Sequence, residues 1–181
     1  MVAGHYAMAL VAYERQRSAP LWLLLFASIF LDLLMIALVL VGVETMAPPE
    51  GARPGLAAMQ VDMTFSHDLV PVLLWAVALA GFGWWVTRRV AIALWAGALV
   101  LLHEAADFVS GFPHYVLGPG STEFGLGLYF RAPLLALAIE LAVALACVWW
   151  FCRRTDLPRG RRIALYGLVV AGVAAMLPLA R

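Results

Sequence analysis

The stretch Val90-Ala-Ile-Ala-Leu-Trp-Ala-Gly-Ala-Leu-Val-Leu-Leu-His103-Glu104-Ala-Ala-Asp107-Phe-Val109 decides the fold. It is an apolar run of twenty residues that carries three ionisable side chains toward one end. Twenty helical residues at ~1.5 Å each match the ~30 Å hydrocarbon thickness of a bilayer. Ionisable side chains at that depth are costly, and where they occur they mark function by default.

Working outward, three more runs have spanning length: Leu21 to Val43, Phe65 to Val86 and Pro133 to Phe151. A fifth, Ile163 to Ala180, is shorter but carries no charge. Val2 to Tyr13 is apolar apart from His5 and too short to span, so it is read as either a sixth, shallow helix or an interfacial segment. The composition agrees: of 181 residues 65% are hydrophobic and 13% charged, with mean hydropathy +0.93. A soluble domain carries far more charge. The expected class is an all-α, polytopic transmembrane helical bundle of five spans plus the short N-terminal segment, forming one integral membrane domain over residues 1–181. The first segment ends in Glu14-Arg15-Gln16-Arg17 and lacks a basic start, so no cleavable signal is expected.

All twelve basic residues are arginine. Nine lie in the connections around Arg15, Arg88 and Arg153, against three at Arg53, Arg131 and Arg181. The positive-inside rule then puts the first group in the cytoplasm and the loops Thr45 to Thr64 and Ser110 to Arg131 outside. A net charge of +1, with no basic patch apart from the helix ends, argues against a nucleic-acid partner. Cys147 and Cys152 fall on different faces of one apolar helix, a spacing that closes no disulfide, and both read as small apolar residues.

The ionisable groups form a set: His5, Asp32, His67, Asp68, His103, Glu104 and Asp107. Helical rise places Asp32 in the middle of its run, His67 near the outer end of the next, and His103 with Asp107 in the outer half of the third. His5, about ten residues above the inner arginines, reaches roughly 15 Å up. The set therefore reads as a metal or proton-handling site between helices. His103 and Asp107, at i and i+4, share a helix face and present nitrogen and oxygen together, which suits zinc, iron or manganese. The plainer reading of that pair is a buried hydrogen bond between helices. Asp32, ringed by Phe30, Leu31, Leu33 and Leu34, needs a proton, a cation or an arginine partner. His67 and Asp68 are expected to open a helix capped by Thr64 or Ser66. Glu140 either supports a ligand histidine or pairs with Arg131, and Glu104 points about 100° away from the His103 face. Trp22, Trp84, Trp85, Trp149 and Trp150 read as interfacial anchors.

Several short strings occur together and in order: Gly4-His5-Tyr6-Ala7-Met8-Ala9-Leu10, Leu31-Asp32-Leu33-Leu34 with Val41-Gly42-Val43-Glu44, and Phe65-Ser66-His67-Asp68-Leu69. Leu102-His103 through Asp107 and Gly125-Leu126-Gly127-Leu128-Tyr129 follow, then an apolar helix with Glu140. Up to about Phe151 the chain thus resembles the small bacterial membrane-bound metal-dependent hydrolase family. That resemblance implies His5, Asp32, His67, His103 and Asp107 as ligands of a divalent metal, with zinc the first choice, and an inner-membrane location. The chain departs from the family pattern at Asp68, Glu104, Gly111 and His114. Together these observations lead to the expectation of a metal-dependent hydrolase, with metal-bound water as nucleophile and Glu104 or Asp68 as base. A membrane lipid or lipid-linked phosphoester suits the depth of the site. The competing expectations are a transporter or accessory protein that handles protons or ions, and a purely structural role for the polar pairs.

Overall fold

The computed structural model describes residues 2–180, so Arg181 lies outside the described residues. Its helices are α1 (Val2–Arg15), α2 (Leu21–Leu40), α3 (Leu69–Thr87), α4 (Val90–Ser110), α5 (Leu128–Arg131), α6 (Pro133–Arg154) and α7 (Arg159–Met176). A 3-10 turn, Leu177–Ala180, continues α7. Five helices (α2, α3, α4, α6, and α7 with its extension) are long and apolar enough to cross a membrane. The fold is therefore the all-α bundle that the composition predicts.

Small residues set the helix spacing, as they do where helices must approach closely without help from water. A Cβ added at Gly97 of α4 would stand 2.9 Å from the Ala76 carbonyl oxygen of α3, and one at Gly83 would meet the Ala96 methyl at 3.2 Å. Arg88, in the left-handed conformation with φ 55°, turns α3 sharply into α4. α4 is the most buried of the five spans, and it is the helix with three ionisable residues near its end.

α1 is the sixth, short helix of the two sequence readings, packed among the long helices rather than lying apart from them. Its Ala3, Ala7, Ala9 and Ala12 are buried, and it contacts α2, α4, α6 and α7. Fourteen residues reach only about 21 Å. It is a short central post, and its alanines let four neighbours close around it.

Arginine and tryptophan gather at one end of the bundle. The guanidinium carbons of Arg15 and Arg154 lie 5.2 and 4.0 Å from the Trp150 ring, Arg153 lies over Trp149, and Arg88 over Trp84. Arg17 donates to Thr155 Oγ1 at 2.7 Å, which ties the α1–α2 turn to the α6–α7 turn. At the opposite end, the segments read from sequence as plain loops contain two small antiparallel ladders. β1 (Thr45–Ala47) pairs with β2 (Gln60–Asp62), and β3 (His114–Tyr115) pairs with β4 (Glu123–Phe124).

The cap expected from Thr64 or Ser66 is also different. α3 begins at Leu69 with Asp68 at the N-cap, and residues 64–67 form the turn before it. Neither hydroxyl caps α3, because each is engaged elsewhere: Thr64 Oγ1 donates to Asp62 and Ser66 Oγ to Glu44.

Candidate metal centre

Four elements deliver the site. On α4, one helical turn brings His103 Nε2 to 3.5 Å from Asp107 Oδ2. From α1, His5 Nε2 lies 3.3 Å from Asp107 Oδ1, and its ring stacks on His103 with centroids 3.5 Å apart and planes at 8°. From α2, Asp32 Oδ1 stands 3.7 Å from His103 Nε2. From the turn before α3, His67 Nε2 is 3.9 Å from both Asp32 Oδ1 and Asp107 Oδ2. One donor atom each from His5, Asp32, His103 and Asp107 falls within 4.8 Å of all the others. Four of the five residues expected as ligands thus form one group, and His67 stands beside its two carboxylates.

The spacing itself is informative. Separations of 3.3 to 3.9 Å are too long for good hydrogen bonds between nitrogen and carboxylate. Two donors each ~2.1 Å from a tetrahedral cation lie roughly 3.4 Å apart. Donors at such separations could hold one ion between them. With its three imidazoles neutral and both carboxylates ionised, the cluster would carry two negative charges, a match for a divalent ion.

The surrounding hydrogen bonds fix which ring nitrogen faces inward. His103 Nδ1 lies 2.8 Å from the Ser28 carbonyl oxygen, which can only accept, so Nδ1 carries a proton, and the neutral ring would present an Nε2 lone pair to the centre. Ser66 Oγ donates to Glu44 Oε2 at 2.8 Å and so accepts from His67 Nδ1, also at 2.8 Å. Glu44 is itself held by the N–H groups of Phe65 and Ser66 at 2.8 and 2.7 Å. Carboxylate–hydroxyl–imidazole relays of this kind set tautomer and basicity at metal ligands. Burial, with His103 and His114 nearby, holds the His67 imidazole well below its ordinary range and keeps it neutral. Among the described residues, neither nitrogen of His5 has a hydrogen-bond partner.

A cavity of about 100 Å³ opens on this centre. Asp32, His67 and Asp107 are in its wall, with His114, Phe112 and Tyr129. The His114 ring stacks on His67 with centroids 5.5 Å apart, and its burial lowers its pKa to about 4. The two residues expected as bases lie elsewhere. Both Asp68 oxygens accept backbone N–H groups, from Tyr115 at 2.9 Å and Gly118 at 2.5 Å, clamping the β3–β4 hairpin to the start of α3. Burial raises the Asp68 carboxyl and these two bonds oppose the rise. Glu104 is buried without a hydrogen-bond partner for either oxygen among the described residues, and neither it nor Asp68 lines the cavity.

Glu140 supports a candidate ligand histidine through the backbone of its helix rather than through the ring. Its Oε1 accepts the Ala3 N–H at 2.7 Å, and its Oε2 lies 3.4 Å from the Tyr129 hydroxyl. It thereby satisfies an orphan donor in the first turn of α1 and steadies the helix that carries His5. The glycine pair of Gly125-Leu126-Gly127 also finds a reason. Both glycines have positive φ, +97° and +59°, and the resulting bend lets Leu126 N donate to Phe108 O at 2.8 Å. That docks Tyr129 beside the centre. Sequence reasoning assigned no site role to Glu44, Ser66, Ser28 or His114. The one available signal for His114 was scarcity, since the chain has only four histidines and all four are buried.

No protein-family model, curated protein or solved structure matches this chain.

Proposed function

We propose that this protein is an integral membrane metal-dependent hydrolase that holds a divalent cation with His5, Asp32, His67, His103 and Asp107. The observation that carries the reading is the donor spacing, together with two imidazoles whose Nδ1 atoms are committed outward. The mixed nitrogen and oxygen set suits zinc first, then iron or manganese. A cation bound there would acidify a water ligand and polarise a phosphoryl or carbonyl oxygen. Asp32, whose side chain is 24% exposed and lines the cavity, is positioned to take the water's proton. The substrate class is a membrane lipid or lipid-linked phosphoester, reached from the hairpin end. Arginine placement and the family resemblance support a bacterial inner membrane with that end outward. A second reading, proton or ion handling, draws on Glu104, a buried carboxyl without a hydrogen-bond partner among the described residues.

Elemental analysis of purified protein beside His103→Ala and Asp107→Ala tests the proposal. Near-stoichiometric zinc, iron or manganese is expected in the wild type and loss in both variants. A metal-free wild type, with Asp32→Asn abolishing proton-coupled uptake in vesicles, would hand the function to the second reading.

A further inference from the structure

Four of the seven methionines line the one small cavity that opens on the metal centre: Met35 from α2, Met46 from β1, Met63 before α3, and Met176 from the end of α7. They come from four separate elements and converge with Leu56 and Phe112. Thioether side chains are flexible and polarisable, and they shape themselves to an irregular apolar guest. His114 shares this wall. It is 2% exposed, and neither ring nitrogen has a hydrogen-bond partner among the described residues. A buried, unpartnered imidazole is costly unless something that enters the cavity satisfies it.

We infer that this cavity is the substrate-recognition subsite, which receives one compact apolar group of about four carbons while His114 donates a hydrogen bond to a polar atom beside it. The size follows from volume. A dry cavity of about 150 Å³ accepts one benzene ring, and this one measures about 100 Å³. A full acyl chain does not fit, so a long-chain lipid would leave its tail outside and place only the segment next to the scissile bond within. Asp32, His67 and Asp107 floor the cavity, so the accepted group sits directly against the reacting atoms. The inference rests on the metal-site reading and narrows its substrate class.

The test uses straight-chain alkyl hydroxamic acids of two to twelve carbons, which chelate a metal through the head and place the tail next to it. Binding is measured by calorimetry on the zinc-loaded full chain in lipid nanodiscs. Affinity is expected to rise about fourfold per methylene up to about four carbons and then level off. Met46→Ala and Met63→Ala should move the break toward longer chains, and Met35→Phe toward shorter ones. His114→Leu should weaken every member of the series by about tenfold, while His114→Gln restores part of the loss. Partitioning into the bilayer would be the same in all variants, so movement of the break reports the cavity. Zinc retained with hydroxamates bound but no dependence on length, or a break unmoved by the methionine variants, overturns the subsite and leaves the metal centre standing. Failure to bind zinc at all overturns both.

Discussion

The imidazoles of His5 and His103 lie face to face, 3.5 Å between centroids and nearly coplanar in tilt, although they belong to different helices. Stacking orients the two rings side by side, so their Nε2 atoms both address Asp107, at 3.3 and 3.5 Å. Replacing His5 by Phe separates packing from coordination. His5→Phe keeps a ring against His103 and should leave the melting temperature of the apo protein within a few degrees. Metal affinity should fall at least about tenfold, read by competition with a chelating dye. Unchanged affinity would remove His5 from the ligand set.

The Glu44–Ser66–His67 relay should matter for affinity without touching a metal. Ser66→Ala removes the acceptor for His67 Nδ1 and frees that ring to turn. A loss of about 10- to 100-fold in metal affinity is expected. Glu44→Gln should cost more in stability than Ser66→Ala, since Glu44 also holds two backbone N–H groups.

Asp68 provides a decision between clamp and base. As a clamp, its loss strands the N–H groups of Tyr115 and Gly118, so Asp68→Ala should cost about 2–4 kcal/mol and speed amide exchange across residues 114–124. Turnover per metal-loaded molecule should fall by less than about tenfold. A drop of about 100-fold or more with the hairpin still protected would make it the base after all.

His114 should leave a mark on acid stability. Its folded pKa of about 4 lies below the ordinary histidine value, so between those values the unfolded chain binds the extra proton. Stability from this group is therefore fully present above about pH 6.5, declines as pH falls toward 4, and is flat below that. In apo protein, His114→Leu should show a shallower loss over that window, by up to about 3 kcal/mol at its acid end. Identical pH profiles would show that the ring is not held neutral by burial.

Gly97 tests the helix packing. Its Cβ position abuts the backbone of Ala76 at 2.9 Å, so Gly97→Val should separate α3 from α4 and cost about 1–3 kcal/mol, seen as a lower unfolding temperature in detergent. An unchanged temperature would mean the contact is slack.

The spans were legible because hydrocarbon thickness dictates run length, and the ligands because a charge inside such a run needs a reason. Asp32 and Asp107 stood out on that ground alone. Glu44 did not, since it follows Val41-Gly42-Val43 at a run's end, where a carboxylate is unremarkable. Its role depends on a turn that brings Ser66 back across from another element. Asp68 and Glu104 were read as bases from adjacency to ligands in the chain. Glu104 stands about 100° round α4 from His103, and Asp68, at the N-cap of α3, turns its oxygens to the β3–β4 hairpin. The methionine cavity was invisible because thioethers spread over four elements carry no periodic signal.

α1 has one more consequence. During synthesis His5 leaves the ribosome long before His103 and Asp107, so this central post must wait, its imidazole unmatched, until the third long helix arrives. If the centre takes up the proposed cation, its capture would come only after α4 has joined the elements that feed the site.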